Sequence, residues 1–241
     1  AMARVVGDVQ RDGGDGRWAP LGATDSITAG SSVRTGADGR AALRLRDGVE
    51  LRLDSGTVLA FEDSSHARLD AGAVYVDAGV GSGSASAAFS LETPAGDVRH
   101  LGTQYEARIA DGALRVAIRE GRVEIAGHGG KVRGDAGEQL VLQQGRVVRS
   151  RLAPTADERR RVAAITPPFE VEGRSVDAFL AWVARETGRT IVYATPGVAK
   201  RAREVALRGS VEGLTPDEAV VAVLSTTSLR PTLEAERIFI E

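Results

Sequence analysis

The run Arg40-Ala41-Ala42-Leu43-Arg44-Leu45-Arg46, followed after one turn by Val49-Glu50-Leu51-Arg52-Leu53-Asp54, decides the fold of the first half of this chain. Apolar and charged residues alternate with period two, and a strand points successive side chains to opposite faces. Leu43, Leu45, Val49, Leu51 and Leu53 are therefore expected in a core, with the arginines and acids on a solvated face. Asp38-Gly39, Asp47-Gly48 and Ser55-Gly56 punctuate the pattern at intervals of roughly 8 to 12 residues, the spacing of strands in a many-stranded antiparallel sandwich, barrel or β-solenoid. The alternation resumes at Ala73-Val74-Tyr75-Val76-Asp77, Ala113-Leu114-Arg115-Val116-Ala117-Ile118, Arg122-Val123-Glu124-Ile125 and Gln139-Leu140-Val141-Leu142. Residues 1–151 are read as one β-domain, β-solenoid or sandwich-like.

Two stretches interrupt the strands. Gly79 to Ala88 holds too little apolar surface to offset the entropy of ordering it and reads as a flexible surface loop. Pro154-Thr155-Ala156-Asp157-Glu158-Arg159-Arg160-Arg161 reads as a charged linker or short helix, and Thr166-Pro167-Pro168 closes it, giving a linker over 152–167.

Beyond the prolines the period changes. Phe169-Glu170-Val171-Glu172 is expected as a strand. Ser175 then caps a helix with Val176, Phe179, Leu180, Val183 and Thr187 on one face, and Gly188 ends it. Thr190 to Tyr193 and Val205 to Val211 read as strands. Thr215 and Pro216 open a second helix to about Ser225, and Ile238-Phe239-Ile240 is a last strand. Residues 168–241 thus form a small α+β domain of order β-α-β-β-α-β. The fold class is mainly β plus α+β.

Composition narrows function. The chain has 241 residues and a formal net charge of -2, so bulk electrostatics point to no nucleic-acid or anionic-membrane partner. It has no cysteine, hence no disulfide framework, Cys-based metal site or Cys nucleophile. No apolar run reaches the roughly 18 residues of a membrane span. A hydrolase elbow Gly-x-Ser-x-Gly is absent, and Gly79 to Gly83 misses the phosphate-loop pattern. His66, His100 and His128 lack metal-ligand spacing, so neither a metal nor a cofactor is expected. Aromatic residues make up 4%, too few for a sugar-stacking platform, which argues against a carbohydrate-active enzyme.

Several motifs carry a resemblance. Gly7-Asp8-Val9, Trp18-Ala19-Pro20-Leu21, Arg34-Thr35-Gly36, Gly39 to Leu45, Gly72 to Asp77, Thr93 to Glu106 and Arg119-Glu120-Gly121-Arg122-Val123 resemble the FecR domain, in order, over most of the first 150 residues. The second half is similar to the secretin and TonB-receptor short N-terminal (STN) domain through Val176 with Leu180, Thr187-Gly188, Ile191-Val192-Tyr193, Leu207-Arg208-Gly209, Leu214 with Glu218-Ala219-Val220, and Ser228-Leu229. The resemblance implies the periplasmic sensing region of a transmembrane anti-sigma regulator that binds the signalling domain of an outer-membrane TonB-dependent transporter. A sigma factor would be met only through a cytoplasmic region, and the membrane anchor would be a span, both outside this sequence. The alternative is a periplasmic envelope-assembly or scaffold protein without sigma-factor regulation.

Catalytic turnover is not expected, but Gly102-Thr103 offers a single-turnover self-cleavage, which the resemblance suggests. A Thr hydroxyl can attack the preceding carbonyl in a strained turn, and glycine there grants the backbone freedom. His100 is the candidate proton carrier. The plainer reading, preferred on the residues alone, is a tight β-bulge or turn. For partner binding, Trp182 lies off the apolar stripe of its helix and is either an interface anchor or packed within the protein. Strand addition along Val205, Leu207, Gly209 and Val211 is the second candidate.

Overall fold

The structure is a computed structural model that describes residues 2–22, 25–45, 48–78, 89–127, 130–152, 169–211 and 214–241, with the side chains of residues 2, 3 and 100–103 outside the description. The chain divides into two compact units, Ala1–Thr155 and Ala156–Glu241.

In the first unit the alternating segments form β1 (Met2–Val6), β2 (Val9–Asp12), β3 (Trp18–Pro20), β4 (Ser32–Thr35), β5 (Arg40–Arg44), β6 (Glu50–Leu53), β7 (Val58–Phe61), β8 (His66–Asp77), β9 (Ser90–Glu92), β10 (Asp97–Ala110), β11 (Ala113–Gly127), β12 (Gly130–Asp135), β13 (Glu138–Gln143) and β14 (Arg146–Arg151). All their pairings are antiparallel except β8 with β9. The long strands β8, β10 and β11 change neighbours midway. The first half of β8 lies between β7 and β9, and its second half lies between β6 and β10. Likewise β10 passes from β9 to β8, and β11 passes from β13 to β12. The result is two layers, β3-β2-β4-β7-β8-β9-β10-β11-β12 and β1-β5-β6-β8-β10-β11-β13-β14, with three strands running through both. This is a sandwich whose corners are turned by continuous strands.

One core lies between the layers. Leu59, Leu69, Leu91 and Val98 of the first layer and Leu43, Leu51, Leu53, Val74, Val76 and Val116 of the second belong to a single buried cluster. Each such side chain contributes about 1.5–3 kcal/mol of transfer free energy. The five expected core residues Leu43, Leu45, Val49, Leu51 and Leu53 are all buried. Arg52 departs from expectation, being 1% exposed rather than solvated. The centre of the second layer is covered on both faces, since Ala42, Ala73, Tyr75, Asp77 and Ala117 are buried as well. Alternation marks which residues share a face but not whether that face is wet.

Gly72 turns the corner of β8 at φ +79°, and a Cβ there would stand 2.5 Å from both the Gly56 carbonyl oxygen and Thr57 Cα. Fully buried Thr57 fastens the same corner. Its Oγ1 accepts from the Ala73 N–H at 3.0 Å and lies 2.8 and 2.9 Å from the carbonyl oxygens of Asp54 and Ala73. Its own N–H donates to Thr35 Oγ1 at 2.8 Å.

The second unit holds α1 (Val176–Thr187), β15 (Thr190–Tyr193), α2 (Pro196–Glu204), α3 (Pro216–Ser225), β16 (Pro231–Leu233) and β17 (Arg237–Ile240). Its sheet has the order β15-β17-β16, with β15 and β17 parallel. The caps read from sequence hold: Ser175 Oγ accepts from Ala178 N–H, and Gly188 ends α1 at φ 69°. Thr215 and Glu218 form a capping box on α3. The order β-α-β-β-α-β does not hold. Phe169 to Glu172 runs into a turn rather than a strand. Val205 to Val211 makes only an isolated bridge, Ser175 to Ala206, because Gly209 takes φ +105° and breaks the extended run. The helix α2 and the short strand β16 are additions. The core joins Phe179, Leu180 and Val183 of α1 to Val220 and Leu224 of α3 and Ile238 and Ile240 of β17.

Candidate functional site

Gly102-Thr103 lies where β10 leaves one layer for the other. Leu101 pairs with Arg122 and Gln104 with Glu120, so Gly102 and Thr103 together face the single residue Gly121. That is the count of a β-bulge. The next step reverses it: Gln104 pairs with Glu120 and Tyr105 with Ile118, leaving Arg119 as the extra residue on β11. Two opposed bulges in adjacent strands bend both together. The backbone therefore takes the bulge expected of this pair, while the side chains of His100 and Thr103 lie outside the described residues.

Immediately past the bulge a polar cluster is buried on the outward face of the second layer. The pairings Glu50 with Asp77 and Asp77 with Gln104 bring three strands into one row. Gln104 Nε2 donates to Asp77 Oδ2 at 2.9 Å, and the two residues are 3% and 5% exposed. In the neighbouring row Arg52 lies beside Tyr75, its Cζ 5.2 Å from the ring centroid, with Arg119 Cζ at 5.4 Å from the same ring. Arg52 Nη2 is 3.6 Å from Glu50 Oε2. Two cations near one aromatic ring, with the Glu50 carboxylate beside Arg52, offset part of the cost of burying that charge. The next rows form a chain of ion pairs, Arg40 to Asp54 at 3.1 Å, Asp54 to Arg108 at 3.0 Å and Arg108 to Glu106 at 3.0 Å. Asp77 is thus one pairing position from Thr103, a carboxylate next to the one peptide where sequence suggests chemistry. Its alternation with buried Val74 and Val76 was visible, but not its burial.

Of the three histidines, only the side chain of His66 lies among the described residues. His66 Nδ1 is 2.9 Å from the Asp63 carboxylate, which the Ser65 backbone N–H, His66 and the Ser65 hydroxyl hold down at about 2. His128 lies outside the described residues. No group of three metal-ligating side chains occurs among the described residues.

In the second unit Trp182 is half-buried in an aromatic trio, its ring centroid 5.6 Å from Phe169 and 5.7 Å from Phe179. It packs on the residues that follow the linker. The candidate edge at Val205, Leu207, Gly209 and Val211 is not a strand of the C-terminal sheet. Leu207 and Val211 are buried, and the Val176 and Leu207 N–H groups donate to Val205 and Arg174 carbonyls respectively. Backbone groups spent on the α1 entry are not open to an added strand. Tyr193 Oη donates to Asp177 Oδ1 at 2.6 Å; burial, with that carboxylate second, pushes the phenol upward.

Comparison with known proteins gives one family match: residues 31–124 fit the family described as FecR protein. The matched segment runs from β4 into β11 and includes Gly102-Thr103. No curated protein matches the chain. Among solved structures it is similar to two crystal structures, each described as a "putative anti-sigma factor" from Parabacteroides distasonis ATCC 8503. The first has 17% identity and a TM-score of 0.46, covering 87% of this chain and 98% of that one. The second has 18% identity and a TM-score of 0.45, with coverage of 87% and 97%.

Proposed function

We propose that this chain is the periplasmic sensing region of a FecR-like regulator and that it binds the signalling domain of an outer-membrane TonB-dependent transporter, without catalytic turnover. The observation that carries this reading is the FecR match over residues 31–124, which falls on the centre of the sandwich. The second unit is taken as an STN-like docking module. Its supports are the motifs at Thr187-Gly188 and Ile191-Val192-Tyr193, which form the end of α1 and the strand β15. With Val205 to Val211 occupied, the sheet edges left for strand addition are β15 and β16, each of which pairs only with β17 among the described residues. The inner membrane would hold the protein through a span outside this sequence, with any sigma factor on its far side.

Self-cleavage at Gly102-Thr103 fits the same reading as a maturation step. The threonine hydroxyl adds to the Gly102 carbonyl carbon and gives up its proton, which is passed on to the Thr103 nitrogen as the C–N bond breaks, leaving a Gly102 ester on the threonine oxygen and a free Thr103 amine. Water then opens the ester to a Gly102 carboxylate and a free Thr103 hydroxyl. The bulge supplies the non-regular backbone, and Asp77 or His100 would take the hydroxyl proton.

The test is direct binding of the full chain to the complete set of transporter signalling domains from the same genome, read by biolayer interferometry. Saturable binding to one or two members supports the proposal; no binding to any member overturns it and leaves the scaffold alternative.

A further inference from the structure

The strand β14, Arg146-Val147-Val148-Arg149-Ser150-Arg151, is the outermost strand of the second layer and is exposed at every position. Among the described residues it pairs only with β13. Its outward backbone can be identified. Gln144 and Gly145 take φ 49° and 76°, the two positive values of a type I′ hairpin turn, which closes on a hydrogen-bonded pair at Gln143 and Arg146. At the other end the Leu152 N–H donates to the Gly137 carbonyl at 2.7 Å. Antiparallel pairs alternate, so positions 146, 148 and 150 bond inward, and the N–H and C=O groups of Val147, Arg149 and Arg151 point away from the sheet.

A cavity of about 420 Å³ opens beside this edge. One wall is the row Ile109-Leu114-Leu142-Val147 that crosses the second layer. The other wall is Val132 on β12, the outer strand of the first layer, with Ala95. Among the described residues, this side of the sandwich therefore presents a strand edge with no second partner, an apolar slot and two exposed valines, Val147 at 42% and Val148 at 63%.

Charge selects the occupant. Arg146, Arg149 and Arg151 line the edge, and among the described residues only Arg149 has an acidic partner, Glu138 at 2.7 Å. A second copy adding antiparallel about a two-fold axis at the middle of this edge would set Arg149 against Arg149 of the copy, a repulsive pairing. An acidic strand would be attracted. We propose that β14 and its slot form a docking site for an extended segment of another protein, with aliphatic residues opposite Val147 and Val148 and carboxylates opposite Arg146 and Arg151. This site lies in the first unit and is independent of the transporter reading.

The probe is a fluorescein-labelled peptide Gly-Glu-Thr-Thr-Val-Leu-Glu-Gly, written to pair antiparallel with Arg151 to Arg146, titrated into the full chain. Saturable binding is expected, with amide shifts confined to β14, β12 and the slot. Val147→Pro removes an outward N–H that the sheet does not use, and Arg146→Glu with Arg151→Glu reverses the free charges. Each change should weaken binding by about tenfold or more while the thermal melt stays near that of the parent. Should the proline variant unfold, the charge-reversed one still decides. Equal binding of the peptide with lysines in place of its glutamates, shifts elsewhere, or no binding to millimolar peptide overturns the proposal. So does a concentration-dependent dimer in sedimentation that Val147→Pro abolishes, which assigns the edge to a second copy.

Discussion

At Thr57 one hydroxyl decides a corner. It accepts the Ala73 N–H and lies within bonding distance of two carbonyls at 0% exposure. Thr57→Val keeps the volume and strands the buried N–H, so unfolding free energy should fall by about 1–3 kcal/mol in urea titration; an unchanged midpoint would show that water or backbone shift replaces the bond. Single residues were the least legible scale in the sequence. Leu51 and Leu53 declare themselves by alternation, but Arg52 between them was assigned to solvent. Its burial depends on Glu50, two residues back on its own strand, and on Tyr75, twenty-three residues on in β8, and no local pattern encodes the second of these neighbours. Trp182 fared similarly: its place off the apolar stripe was visible, its stacking on Phe169 and Phe179 was not.

Elements were easier where end signals are chemical. Ser175, Gly188 and Thr215 mark helix ends because they satisfy backbone groups that the helix leaves open or give the chain the turn it needs, and all three cap as expected, Thr215 with Glu218 completing a box. The helix α2 was missed although Thr195 and Pro196 begin it in the same way, since its nine residues bury only Ala202 and leave almost no apolar stripe to read. Val205 to Val211 shows the reverse failure, a period-two pattern without a partner strand. In β8 the deciding element feature is Gly72, whose φ of +79° and 2.5 Å clearance from the Gly56 carbonyl oxygen admit no side chain. Gly72→Ala combines left-handed strain of roughly 1–2 kcal/mol with overpacking of roughly 1–3 kcal/mol, for a loss of about 3 kcal/mol read by chemical denaturation. A loss below about 1 kcal/mol would mean that the corner relaxes freely.

On the scale of the whole chain, the division into a β-rich half and an α+β half followed from the change of period after Pro168, whereas the layering could not, because it depends on where three long strands change partners. The same continuity bears on the candidate cleavage. A cut between Gly102 and Thr103 leaves Gln104 to Ile109 paired with Asp77 to Gly72 of the other fragment, while Asp97 to Leu101 remains paired with Ala126 to Arg122. Denaturing mass spectrometry of the purified protein should give two pieces, residues 1–102 and 103–241, while native mass spectrometry gives their sum. A single denaturing mass at all times would remove the self-cleavage proposal, and pieces that separate under native conditions would contradict the pairing.

Strands β8, β10 and β11 also have a mechanical meaning. A sandwich of two self-contained sheets can slide or peel one layer from the other, but here each of three strands is hydrogen-bonded in both. A pull along β10 loads the ladders on either side in shear, so many bonds must fail together rather than one after another. For a domain proposed to sit between two membranes, that makes the sandwich a stiff link that can pass tension onward without first coming apart.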